Sequence, residues 1–239
     1  MGRPARSGLV PDDECSSILA LPLDTRVSYA EHVERALRCS HSDLAVVLQT
    51  LRTGRLYVAL QDGQALEGTA IECVQRCVRR IVDTATAAGS ALCSVYWLSE
   101  IAQDTCAFAH NTNSTALGTV CDAIQRHTSP STEAPLSSAL SMADTIAAQD
   151  PHPYHFLIIC ITGVPTTADA THHARAAANQ HLRIVYVLCT EDAHIRTVCE
   201  QFARTYARTY VWDAARSASN TRTFLDAFQP EKRDRCAMM

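Results

Sequence analysis

Lysine is almost missing from this chain. Lys232 is the only one among 21 basic residues, a bias that reflects base composition rather than chemistry. Positive charge is not in excess either. The formal net charge is −4, which argues against nonspecific nucleic-acid binding, and no direct sequence-specific nucleic-acid contact is expected. No apolar run approaches the ~18 residues of a membrane span, so no transmembrane segment is predicted. The opening residues, MGRPARSGLVPDDE, lack the apolar stretch of a signal peptide. No two cysteines are spaced CxxC, so the usual spacing of a structural zinc site is missing. GxSxG, GxGxxG and the P-loop pattern are absent. No motif sets a base beside a nucleophile. These absences point away from an enzyme, and no cofactor and no metal are expected.

What remains is a chain with a large core. Its 239 residues are 47% hydrophobic, enough for one α/β domain and a small extension. The eleven cysteines fall inside predicted strands and helices at no framework spacing, which suits a reduced, intracellular protein. Residues 1–54 form an N-terminal extension, partly helical, with a capping-box pattern at Ser28 and Glu31 and a C-cap expected at Gly54. Residues 55–229 form the main domain, and 230–239 a polar tail.

The main domain opens with a strand. Residues 56–60 are a short continuous apolar run, suited to a strand buried on both faces. A polar turn follows at 61–68. Ile71, Val74, Val78, Ile81 and Val82 then recur at helical spacing, with Glu72, Gln75, Arg76, Arg79 and Arg80 on the other side. Further strands are predicted at 91–98, 105–109 (at an edge), 156–161, 182–189 and 209–212. Helices are predicted at 114–126, around Leu136–Ile146, at 168–180, after the acidic cap candidates Glu191 and Asp192, and around Phe224–Phe228. Strands separated by helices imply a doubly wound, mostly parallel six-stranded sheet with helices on both faces. Ligands in such sheets bind at the carboxyl ends of the strands, here after Leu60.

Several segments resemble the von Willebrand factor A (vWA) family over roughly residues 55–228. Within it they are most similar to the vWA subunit of general transcription factor IIH. LYVALQDGQALEG resembles that subunit's opening strand and turn, and TEAPLSSALSMADTI its loop and third helix. FLIICITGVPTTAD resembles its central strand. LRIVYVLCTEDAHIRTVCEQFARTYARTYVW resembles its run of strand, acidic turn, cysteine-bearing helix and Thr-Tyr strand. The resemblance implies a non-catalytic subunit that docks on and stimulates an XPD-type DNA helicase in transcription initiation and nucleotide excision repair. It also implies pairing with a second vWA-like subunit. Location would be nuclear in that role, and otherwise cytoplasmic.

The family holds Mg²⁺ with an Asp-x-Ser-x-Ser/Thr turn, a loop threonine and a second aspartate. At the matching positions this chain has Gln61, Gly63, Ala65 and Gly163. A register shifted by one gives Asp62, Gln64 and Leu66. Neither set is a Mg²⁺ shell, so a degenerate metal site is expected. The loops at this edge then become candidate partner contacts, through Gln61, Asp62, Gln64, Thr166 and Thr167, with Arg76, Arg79 and Arg80 on the first helix.

Other residues have plainer readings. Cys73 and Cys77 lie four apart beside the apolar stripe, where core packing is expected. His172, His173, His152 and His155 are expected at the solvated surface. The TGVPTT turn lacks the glycines that wrap a phosphate. Cys236-Ala-Met-Met fits a prenylation signal behind Lys232, Arg233 and Arg235, though a short pattern matches often by chance in a cysteine-rich chain. Two further functions stay open on the residues alone: a generic cytosolic vWA adaptor for an ATPase complex, and a small α/β enzyme for a phosphorylated ligand at the TGVPTT edge.

Overall fold

A computed structural model describes residues 49–62, 69–88, 93–102, 117–126, 135–165 and 167–215. A helical segment at 49–53 leads straight into β1 (Gly54–Leu60). The order is then α1 (Thr69–Ala88), β2 (Cys93–Trp97), α2 (Leu98–Ala102), α3 (Leu117–Arg126), α4 (Leu136–Gln149) and β3 (Tyr154–Ile161). The chain continues through α5 (Thr167–Ala178), β4 (Leu182–Leu188), α6 (Ala193–Thr205) and β5 (Thr209–Asp213). The sheet order is β2-β1-β3-β4-β5, and every neighbouring pair is parallel.

Five strands, not six, are present among the described residues; the edge strand expected at 105–109 lies outside them. So do the expected helices before residue 49 and around 224–228. The strand expected at 91–98 stops at Trp97, and Leu98 instead starts a short helix.

The apolar runs explain the centre of the sheet. β1, β3 and β4 are buried along almost their whole length, as strands covered on both faces must be. Alternate residues feed two cores. Val58, Leu60, Cys160, Val185 and Val187 pack with α1 and α3. Tyr57, Ala59, Ile159, Ile161 and Tyr186 pack with α4, α5 and α6. Helices therefore cover both faces of a parallel sheet, the doubly wound arrangement of an α/β domain. A buried charge is accommodated as well. Arg183 of β4 lies over the rings of Tyr154 and Phe156, with its guanidinium 5.2 and 5.8 Å from their centroids, a cation–π arrangement.

Gly54 ends the helical segment, as expected, but not through a left-handed cap. Arg208 is the only non-glycine residue with positive φ among those described. Gly54 is needed for close approach. A Cβ there would lie 2.8 Å from a ring carbon of Phe156 and 2.9 Å from the Thr50 carbonyl oxygen. Gly54→Ala should therefore lower unfolding free energy by about 2 kcal/mol, the scale of overpacking against backbone. Urea denaturation measures this, and an unchanged midpoint would mean the helix-to-strand junction yields freely.

Candidate functional site

The sheet order reverses between β1 and β3. β1 is followed in sequence by β2 on one side, and β3 then joins β1 on the other. A doubly wound sheet opens a crevice at the carboxyl ends of such a pair of strands. Here those ends carry Gln61 and Asp62 on one side and Thr162 and Gly163 on the other.

Gln61 closes that crevice. Its backbone N–H donates to the Cys160 carbonyl (3.0 Å). Its side-chain Oε1 accepts from the backbone N–H groups of Thr162 (2.9 Å) and Gly163 (2.8 Å). One buried neutral amide thus holds the loop after β3 against the end of β1.

The acidic side chains of this edge are engaged in a similar way. Asp62 accepts from the Ser99 backbone N–H (3.1 Å) and from the Ser99 hydroxyl, at the start of α2. Asp169 accepts from the Ser137 N–H (2.8 Å) at the start of α4. Asp192 caps α6 by accepting from His194 (2.7 Å) and Ile195 (3.2 Å), as the acidic turn predicted. Each of the three carboxylates satisfies backbone donors that a helix start leaves open. Arg196 then ties α6 to the end of β5 through Asp213 at 2.8 Å.

Gln61 and Asp62 were expected to face a partner, but both are buried. Their role in this fold is to shape the loops. Gly163 is buried too, and Val164 beside it stands out. It is the one large hydrophobic side chain exposed among the described residues, 42% accessible. Thr167 begins α5. Gly63, Gln64, Ala65 and Thr166 lie outside the described residues, as does Cys236.

The arginines of α1 are partly engaged within the domain. Arg76 Nη2 reaches the Ala214 carbonyl at 3.5 Å, and Arg79 Nη2 lies 3.8 Å from Cys121 Sγ. Arg80 lies over the Trp212 ring, 5.4 Å from its centroid. Arg76 and Arg79 are exposed, while Arg80 is half-buried.

Two of the histidines correct the sequence-based expectation. His172 is exposed, hydrogen-bonded to Ser141 at 2.9 Å, and His152 is half-buried beside Asp150. His173 and His155 are fully buried. Neighbouring helical positions point about 100° apart, so one of the His172–His173 pair faces inward. His173 Nε2 meets Thr209 Oγ1 at 2.9 Å and its Nδ1 meets the Tyr186 hydroxyl at 3.1 Å. Phe202 and Tyr206 close around the ring. A neutral imidazole satisfies both contacts, one as donor and one as acceptor, and burial lowers the His173 pKa to about 4.

His155 belongs to β3 rather than to the loop before it. Its partner in the ladder is Arg55, its ring stacks on Tyr57, and burial again lowers its pKa. This group sits at the amino ends of the strands, away from the crevice.

The largest surprise is among the cysteines. Cys73 and Cys77 do face the core, but they are not packed only against hydrocarbon. Cys189, immediately after β4, meets them, and the three Sγ atoms all lie within 4.8 Å of one another. Hydrogen bonds from Cys189 and Cys77, with the Arg76 charge nearby, hold the Cys73 thiol well below its ordinary pKa. Hydrogen bonding of its one thiol proton among the sulfurs of Cys160, Cys73 and Cys77, together with burial, pushes Cys189 well up. Cys77 is lowered by its bond from Cys189, but donation to Cys73 and burial outweigh this and leave it raised. Sequence spacing gave only the Cys73–Cys77 pair of this group of three. Cys189 joins through the fold, and an apolar strand ending in cysteine carries no signal for it.

No model of a known protein family matches the chain, and no curated protein matches its sequence. No helix among the described residues is long and apolar enough to cross a membrane.

Proposed function

We propose that this chain is a non-catalytic protein-interaction module of vWA type. Its place would be in a divergent transcription factor IIH core, docking on an XPD-type DNA helicase and pairing with a second vWA-like subunit. The observation that carries this is the closed switch point. The position where a doubly wound sheet takes a small ligand holds the buried Gln61 amide bridging Thr162 and Gly163. The carboxylates around it are engaged at helix starts. The same loop presents the exposed Val164, an apolar contact on a base fixed by two hydrogen bonds. The segments that resemble the transcription-factor subunit fall on β1, α4, β3, the start of α5, β4, α6 and β5, and so include the strand ends that form this edge.

Two measurements test this reading. A thermal-shift panel of ATP, inorganic phosphate and Mg²⁺ should leave the melting temperature unchanged. A saturable shift of about 2.7 kcal/mol at a hundredfold excess over Kd would instead mark a small-ligand site and overturn the interaction-module reading. The second is a substitution. Val164→Asp should weaken helicase binding at least tenfold, about 1.4 kcal/mol. Its stability should stay within about 0.5 kcal/mol, as for an exposed position. Titration calorimetry with the purified helicase measures the first quantity and urea denaturation the second; unchanged affinity would remove Val164 from the interface.

A further inference from the structure

Cys73 and Cys77 are one helical turn apart, so both point to the same side of α1. That side covers the carboxyl ends of β3 and β4. Cys160 stands near the end of β3 and Cys189 follows β4 directly. All four are buried. The sulfurs of Cys73, Cys77 and Cys189 converge within 4.8 Å of one another, and Cys160 is the further buried cysteine near the end of the strand beside β4.

A buried cysteine ordinarily behaves as a small hydrophobe and needs no sulfur neighbour. Three thiols, two from α1 and one from the end of β4, that converge on one another form a donor set instead. Zinc–sulfur bonds of ~2.3 Å in a tetrahedron place sulfurs ~3.8 Å apart, so the sulfurs of Cys73, Cys77 and Cys189 need to contract by no more than about an ångström. The ligands are soft and water is excluded, which favours a thiophilic cation over Mg²⁺ or Ca²⁺. Arg76, the residue before Cys77, places a positive charge near Cys73, which would offset the excess negative charge of a thiolate-rich shell.

We propose that Cys73, Cys77 and Cys189 form a thiolate site for a thiophilic d10 cation, with Cys160 as the fourth sulfur when the cation is Zn²⁺. Three sulfurs are enough for Cu⁺. Each ligand forms one metal–sulfur bond as a thiolate, and a ligand that is still protonated releases its proton to solvent on binding. Metal here would lock α1 to the central strands directly beneath the crevice at Gln61. The site does not depend on which partner the domain binds.

The test uses the full chain, kept reduced with a phosphine, stripped of metal and titrated in separate arms with Zn²⁺, Co²⁺ and Cu⁺. One equivalent should bind with a rise in melting temperature, and bound metal should shield Cys73 from alkylation. Binding of Zn²⁺, with a tetrahedral thiolate spectrum for Co²⁺, assigns the four-sulfur form; binding of Cu⁺ alone assigns the three-sulfur form. Cys189→Ala should weaken binding more than about a hundredfold, beyond what loss of a supporting contact costs. Cys199→Ala, buried on the other face of the sheet, should bind normally. The shielding of Cys73 is read on the unaltered protein, so the proposal stays testable if Cys189→Ala does not fold. No binding in any arm would overturn it. So would binding unaffected by Cys189→Ala, metal that leaves Cys73 open to alkylation, or a Cys73–Cys189 disulfide in the protein as isolated.

Discussion

Gln61→Met is expected to lower the free energy of unfolding by about 4 kcal/mol, because it leaves two buried backbone donors without an acceptor. Methionine keeps the length and much of the volume of glutamine, so little of the loss should come from a cavity. What disappears is Oε1, which accepts from Thr162 at 2.9 Å and Gly163 at 2.8 Å. A buried donor that loses its partner costs about 1–3 kcal/mol, far more than the net gain from an average hydrogen bond. The effect should be local as well as global. The loop from Thr162 to Pro165 should lose hydrogen-exchange protection, while the centre of β4 keeps it. Urea denaturation gives the magnitude. A loss under about 1 kcal/mol would mean that water re-satisfies the two donors, and that Gln61 does not hold the crevice closed.

The second large effect is on pH dependence, through His173. Burial lowers its pKa to about 4 from the ordinary 6.5. The unfolded chain takes up a proton as pH falls below about 6.5, whereas the folded ring stays neutral until about pH 4. Its contribution is therefore fully present above pH 6.5 and is lost as pH falls towards 4. The difference is on the order of 3 kcal/mol for one group. His155 is lowered by burial in the same direction and adds to the slope. Against some desolvation, hydrogen bonds from His152 and the Arg55 charge hold Asp150 below its ordinary range, so its contribution is lost at the acid end of this window and below it. His173→Phe should remove much of the dependence between pH 6.5 and 4. It will also lower stability at pH 7, because Tyr186 and Thr209 lose their partner. The slope of unfolding free energy against pH separates the two effects. An unchanged slope would mean that the ring is protonated in the folded state.

Much of the fold was legible in the sequence for a simple reason. β1, β3 and β4 are buried on both faces, so each reads as an unbroken apolar run. Helix α1 has one apolar side, so its stripe gives both its existence and its inward face. Asp192 caps α6 because a short acidic side chain fits the open donors there, and that pattern is local.

The misses have physical causes too. α5 is rich in alanine on all sides, so no stripe marked His173 as the inward member of its pair. β3 begins two residues before its apolar run, because ladder pairing with β1 extends it through His155. Leu98 continues an apolar run, yet Asp62 binds the start of a helix there. The candidate site was half visible. The residue types at Gln61 and Gly163 showed only that no carboxylate stands where the vWA resemblance would put one. They did not show that Gln61 fills the crevice itself, or that Cys189 reaches Cys73 and Cys77, because both depend on strands brought together by the sheet.

Affinity purification from the native cell tests the interaction-module account most directly. The full chain, tagged and expressed at its normal level, is recovered under mild salt, and its co-purifying proteins are identified by mass spectrometry. The account predicts an XPD-type helicase and a second vWA-like subunit in stoichiometric amounts, with both diminished for Val164→Asp. Recovery of the chain without helicase or other transcription factor IIH subunits would contradict the assignment and leave only the α/β fold.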